Sequence, residues 1–151
     1  DHADWAFGTQ DFTLDCWIRF NTNPGTQMLF SQGSGDNTNR WSLYHDGTNL
    51  KLFVYTASSQ IIAHSYAWSE STATWYHVAL VRNGNNFDTY IDGTSLGQTV
   101  DTDSIGDYSG VLAIGSETDG ESYFNGWMDE IRISGVARWT TSFTPPTEPY
   151  D

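Results

Sequence analysis

The residues of this chain best suited to chemistry are its carboxylates, nineteen Asp and Glu against six Lys and Arg. Hydrolysis of a glycosidic bond requires two carboxyl groups flanking one bond, one to give a proton and one to attack or to activate water. No strand-like stretch carries carboxylates at alternating positions. Asp129 and Glu130 are adjacent, while Asp15, Asp88 and Asp92 lie on separate segments or in turns. The four histidines show no close ligand spacing, and the single Cys16 cannot support a structural zinc site. Gly84, Gly93, Gly106 and Gly110 mark turns with no following helix or Lys, so there is no phosphate-cradling loop. No elbow motif surrounds any Ser or Thr. These residues predict a domain that is not an enzyme.

Binding is better supplied. Flat aromatic faces stack on sugar C–H surfaces while planar polar side chains read hydroxyls, and the chain has seven Trp and eight Tyr. If Leu50, Leu52 and Val54 face the core, then Lys51, Phe53 and Tyr55 face outward, and Tyr44 does so beside Leu43. Thr13, Asp15, Trp17 and Arg19 form a second outward set, with Asp88 and Tyr90 as neighbours. The expected ligand-binding residues are therefore Trp17, Arg19, Tyr44, Tyr55, Asp88 and Tyr90, whereas Trp75, Trp127 and Trp139 are assigned to structure. Three acidic loops, Asp36 to Asn39, Asp101 to Asp107 and Glu117 to Glu121, hold the oxygen ligands that calcium prefers, though none matches an EF-hand. A structural Ca2+ is expected near the third loop or at Asp129-Glu130 in the last strand, with Asp119, Glu121 and Asp129 as its candidate ligands.

The elements that must position these side chains are strands. From Phe12 to Phe20 the apolar residues Phe12, Leu14, Cys16, Ile18 and Phe20 alternate with Thr13, Asp15, Trp17 and Arg19, the period of a half-buried strand, with Cys16 as a small core residue. Asn23-Pro24-Gly25 breaks it. Further strands are predicted at Met28–Gln32, Trp41–Tyr44, Leu50–Tyr55, Ile61–Tyr66, Trp75–Arg82, Phe87–Ile91, Leu96–Val100 and Val111–Gly115. Turns at Asp46-Gly47, Asn83-Gly84 and Asp92-Gly93 separate several of them, and the polar loop around Gly35 separates two more. In the last strand the apolar positions Met128, Ile131 and Ile133 step by three and then by two. If all three enter the core, Asp129-Glu130 must hold a β-bulge. No stretch has a helical stripe.

After Ser134 the strand period ends, and Pro145-Pro146 forces extension. Residues 1–134 read as one domain and 135–151 as an arm packed on it. Trp139 and Phe143 are the expected anchors, covering strand edges, with Arg138 meeting Asp129 or Glu130. A chain of 151 residues fits a single core. Its formal charge of −13 disfavours nucleic acid and anionic membrane surfaces as partners. No stretch approaches a membrane span or a secretory leader. The start at Asp1 without Met suggests a domain excised from a longer parent.

The motifs resemble those of laminin-G-like, concanavalin A-like jelly-roll domains. The matching pieces are Gly8 to Trp17, Trp75 to Gly84, Tyr90-Ile91-Asp92-Gly93, Leu112 to Ser116, Phe124 to Ser134 and Gly135-Val136-Ala137-Arg138-Trp139, in the family's order. The closing segment is similar to phage virion members in particular. The resemblance implies an all-β, two-sheet antiparallel jelly-roll sandwich, frequent sugar binding and an occasional calcium ion. Lyases of similar fold use a Gln/His pair and a Tyr; His77 and Tyr90 would meet, but His77 matches a family strand position. The expected function is a non-catalytic, lectin-like module that binds a polysaccharide or glycan. It would sit beside covalent neighbour domains in an extracellular or virion protein. The alternative is a structural or adhesion domain of a phage virion or surface fibre.

Overall fold

The computed structural model describes residues 5–23, 25–34 and 36–150; Asp1, Pro24, Gly35 and the arm's last residue, Asp151, lie outside the described residues. Ten strands follow one another: β1 (Phe12–Phe20), β2 (Gln27–Gly33), β3 (Arg40–His45), β4 (Asn49–Thr56), β5 (Ser59–Ala67), β6 (Trp75–Asn83), β7 (Asn86–Ile91), β8 (Thr94–Val100), β9 (Val111–Ile114) and β10 (Gly126–Ser134). They form two five-stranded sheets, ordered β10-β1-β6-β7-β8 and β5-β4-β3-β2-β9. Every neighbouring pair is antiparallel. Among the described residues there is no α-helix. The chain changes sheet after β1, β5, β8 and β9, as in a jelly-roll sandwich.

The alternation of β1 sets the packing. Phe12, Leu14, Cys16, Ile18 and Phe20 are each at most 1% exposed and meet Phe30, Trp41, Leu43, Leu50, Leu52 and Val54 from the other sheet. Each such side chain stabilises the fold by about 1.5–3 kcal/mol on burial. At one end of this interior lies Arg82, also buried. Its guanidinium donates to the carbonyls of Gly84, Gly8 and Asp103 at 2.9, 2.8 and 3.0 Å and lies 4.7 Å from the Phe87 ring. One cation thereby ties the N-terminal segment, the β6–β7 turn and the loop before β9.

β6 differs from β1 in being apolar without alternation. Val78 and Leu80 face the core, while Ala79 and Val81 face outward and are just as buried, together with Tyr90 of β7. A strand apolar on both faces needs cover on both, and the arm supplies it. Trp139 and Phe143 stack on each other (3.9 Å, 5°), meet His77 edge-on at 5.6 Å each, and join Ala137 against Ala79, Val81 and Tyr90. The arm thus covers a sheet face rather than the strand edges expected. It crosses at Gly93, whose φ of +74° belongs to the Asp92-Gly93 turn and where a Cβ would lie 1.8 Å from the Phe143 carbonyl oxygen.

The β-bulge is present. Asp15 pairs with Arg132 and Trp17 with Asp129, so Cys16 faces both Glu130 and Ile131, and Glu130 has φ +49°. Met128 and Ile133 pack on the core, whereas Ile131 is 39% exposed and does not enter it as expected. Arg138 also departs from expectation. Its Nε donates to Ser134 Oγ at 2.7 Å and its backbone N–H to Thr13 Oγ1 at 3.0 Å, not to a carboxylate. Trp139→Ala is expected to destabilise the domain by about 3 kcal/mol, the low end for a large aromatic because Trp139 is only half-buried. Thermal unfolding with earlier protease cleavage of the arm checks this; an unchanged melting temperature would show that the arm contributes nothing.

Candidate functional site

The outward face of β1 holds a buried carboxylate. Asp15 is solvent-inaccessible, and Arg132 of β10 grips it with two donors, Nε to Oδ1 at 3.1 Å and Nη2 to Oδ2 at 2.9 Å. The Tyr150 hydroxyl donates to Oδ2 at 2.7 Å, and His77 Nε2 lies 3.0 Å from that hydroxyl and 3.4 Å from Oδ2. The Arg132 guanidinium in turn sits 3.7 Å over the Tyr150 ring. Burial pushes the Asp15 carboxyl up, but the hydrogen bonds from His77, Arg132 and Tyr150, with the Arg132 charge, outweigh it and hold the group below the ordinary carboxylate range. Burial and the Asp15 carboxylate push the Tyr150 phenol up.

Toward one end of the same face, side chains form cross-strand rows. Arg19 of β1 stands between Trp127 of β10 and Trp75 of β6, and in the next row Trp17 stands between Asp129 and His77. The Arg19 guanidinium lies 4.5 Å from the Trp127 ring, and Trp75 and Trp127 are 42% and 47% exposed. The Tyr150 backbone N–H donates to Glu130 Oε2 at 2.6 Å, which pins the end of the arm to the bulge. The segment just before that pin borders an open, cleft-like cavity of about 460 Å³. Trp17, Trp75, Asp129 and Glu130 line it from the strands, and Pro146, Thr147, Glu148 and Pro149 from the arm. Two indoles and three carboxylates offer stacking faces and hydroxyl acceptors, and no Lys or Arg is among the lining residues. His77, the nearest histidine, is sealed under Trp17, Trp139 and Phe143, so substrate has no access to it as an acid or base.

The residues expected to bind ligand are distributed over three places. Trp17 lines the cavity and Arg19 stands beside it. Asp88 and Tyr90 are fastened to each other at 3.0 Å and Ser95 Oγ donates to Asp88 at 2.6 Å; Tyr90 is fully buried against Phe143 and offers no face to a ligand, while Asp88 is partly exposed. Tyr44 and Tyr55 lie on the outer face of the other sheet. There Tyr44 meets Phe53 edge-on at 5.5 Å, with its phenol pushed up to about 12 by burial, and Tyr55 donates to Gln60 Oε1 at 3.0 Å. Trp75 and Trp127, assigned to structure from the sequence, are instead the exposed tryptophans of the first face. Trp75 was legible by parity: with Val78 and Leu80 inward, the odd positions of β6 point out. Glu148 had no comparable signal, because its place depends on where the arm lands.

The residues expected to ligate calcium do not converge. Asp119 Oδ1 accepts the Glu121 N–H at 3.2 Å within its own loop, Asp129 lines the cavity, and the Glu117 carboxylate of that loop pairs with Arg40. Asp36 and Asp101 likewise cap their own turns. Among the described residues no group of three or more His, Cys, Asp or Glu is placed to hold a metal ion.

The chain belongs to the concanavalin A-like lectin/glucanases superfamily, whose laminin-G-type family model matches residues 1–141. Similar solved structures share the fold at low identity. One is the Ruminococcus gnavus IT-sialidase CBM40 bound to α2,3-sialyllactose (14% identity, 86% of this chain and 78% of that one, TM-score 0.72). Another is domain 4 of AbnA, a GH43 extracellular arabinanase from Geobacillus stearothermophilus, with arabinotriose (19%, 89% and 64%, TM-score 0.70). Of a Bacteroides ovatus protein of the same fold (20% identity, TM-score 0.70), the chain spans only 39%.

The depressed Asp15 carboxyl has a consequence for acid stability. Its stabilisation is complete above the unfolded value of about 3.9 and is lost as pH falls from there through the lower folded value. Tyr150 and the end of the arm are expected to release in that acid window, seen as earlier proteolysis of the arm and a falling melting temperature. Asp15→Asn should be less stable at neutral pH and should flatten this acid dependence. A variant as acid-sensitive as the parent would assign the effect to another carboxylate.

Proposed function

We propose that this domain is a non-catalytic carbohydrate-binding module of a longer extracellular or virion protein, and that the cavity at the arm is its sugar site. The observation that carries the reading is the juxtaposition of Trp17 and Trp75 with Asp129, Glu130 and Glu148 around one cavity of about 460 Å³. That volume is ordinary for a small-ligand site, and indoles beside carboxylates suit a pyranose with apolar faces and a hydroxyl rim. Support also comes from the fold, which occurs in modules solved with sialyllactose and with arabinotriose. The non-catalytic reading is supported by His77, which is sealed from solvent, and by Asp15 and Asp88, whose carboxylates are engaged in hydrogen bonds, while the cavity carboxylates are assigned to contacts with the ligand.

Trp75→Ala tests the site. Trp75 is 42% exposed and lies outside both buried clusters, so its removal is expected to change stability by no more than about 1 kcal/mol. Binding to any glycan that the parent domain recognises on an array should fall by more than about tenfold, as for a tryptophan hot spot. Equal binding by the variant would move the site to another face. A parent domain silent across plant, marine and bacterial polysaccharides would favour the structural or adhesion role.

A further inference from the structure

Resting on the sugar-binding reading, we propose that the cavity selects a glycan bearing a free protonated amine, an amino sugar that is not N-acetylated, over neutral and anionic glycans. The charges around the cavity carry this. Asp129, Glu130 and Glu148 face one space, and no cationic side chain lines it. The two arginines on the neighbouring rows are engaged elsewhere: Arg132 is held by Asp15 and stacked on Tyr150, and Arg19 lies against Trp127. Neither carries its charge into the cavity as a lining group. The three carboxylates therefore give the cavity a negative potential that no lining cation offsets.

Two of the carboxylates keep acceptor capacity. Glu130 takes the Tyr150 N–H on Oε2 and Asp129 takes the Glu130 N–H on Oδ1, which leaves the second oxygen of each. Glu148 accepts no hydrogen bond from any described residue. The indoles of Trp17 and Trp75 add faces that attract a cation as well as a sugar ring. The carboxylates that favour an ammonium group repel a sialic acid carboxylate. A single exposed ion pair is weak, so the selectivity comes from several partial contributions and is expected to be roughly tenfold.

The test is titration calorimetry of the domain with a chitosan tetrasaccharide, its fully N-acetylated counterpart and sialyllactose, at a pH where the amine is protonated. The free-amine oligosaccharide is expected to bind roughly tenfold more tightly than the N-acetylated one, with a gap that narrows as salt is raised. Sialyllactose is expected to bind more weakly than either. Glu148→Gln, at an exposed arm position, should narrow the gap between the two by about threefold, and Trp75→Ala should weaken both. Equal affinities, a preference for the N-acetylated or anionic sugar, or a gap insensitive to salt and to Glu148→Gln would overturn the amine selectivity and leave the sugar-binding reading standing. Failure of all three to bind, with silence on the glycan array, would overturn both.

Discussion

The buried carboxylate of Asp15 is the interaction on which the outer face of this sandwich depends. A charge with no exposure to water is tolerated only if partners replace its hydration, and stripping a partner from such a group typically costs about 3–5 kcal/mol. Its partners come from three other parts of the chain: Arg132 on β10, His77 on β6 and Tyr150 at the end of the arm. Asp15 therefore binds the arm to the sheet electrostatically, while Trp139 and Phe143 bind it by apolar contact. The cavity follows from this arrangement. Tyr150 fixes the end of the arm at Asp15 and Glu130, Phe143 fixes its middle at Gly93, and the segment between them must bridge the sheet.

The bulge in β10 contributes the second constraint. An extra residue at Glu130 with positive φ costs about 1–2 kcal/mol in a non-glycine residue. In return the carboxylate is turned to meet the Tyr150 N–H instead of continuing the alternation of the strand. Without the bulge, Asp129 and Arg132 would lie on opposite faces, since their spacing is odd. With it, Arg132 reaches Asp15 and Asp129 reaches the cavity from the same face.

Much of this fold was legible in the sequence because it is written in local patterns. The alternation of Phe12 to Phe20 returned β1 with its bounds intact, and the step from Met128 to Ile131 located the bulge. The β4–β5 turn was not legible in this way. Ala57 and Ser58 both have positive φ with no Gly or Asn to announce it, and the loop before β3 props them through Asn39 Oδ1 and the Thr38 carbonyl. The site was less legible than the fold for a similar reason. Parity identified Trp17 as outward but could not say that the arm would cover Tyr90, leave Trp75 open, or bring Glu148 across from Glu130. Those outcomes depend on contacts between residues far apart in the sequence. The uninterrupted apolar run of β6 held one clue, because a strand that must be covered on both faces implies that some segment lies over it.

The composition of the bridging segment bears on how the cavity can act. Pro145, Pro146 and Pro149 restrict the backbone of the stretch that forms its outer wall. A wall of flexible residues would lose conformational entropy each time a ligand entered, and that loss would weaken binding. Here the order is imposed by proline rings and by the anchors at Phe143 and Tyr150 during folding, so the proposed site would present a shape already fixed. The opposite wall is built from paired strands whose inner faces are core. On the proposed reading, recognition falls on side chains that the core does not need, Trp75 and Glu148, while Asp15, Arg132 and Tyr150, which tie the arm to the sheet, are not among the lining residues. That separation lets the charge and shape of the cavity vary without disturbing the sandwich beneath it.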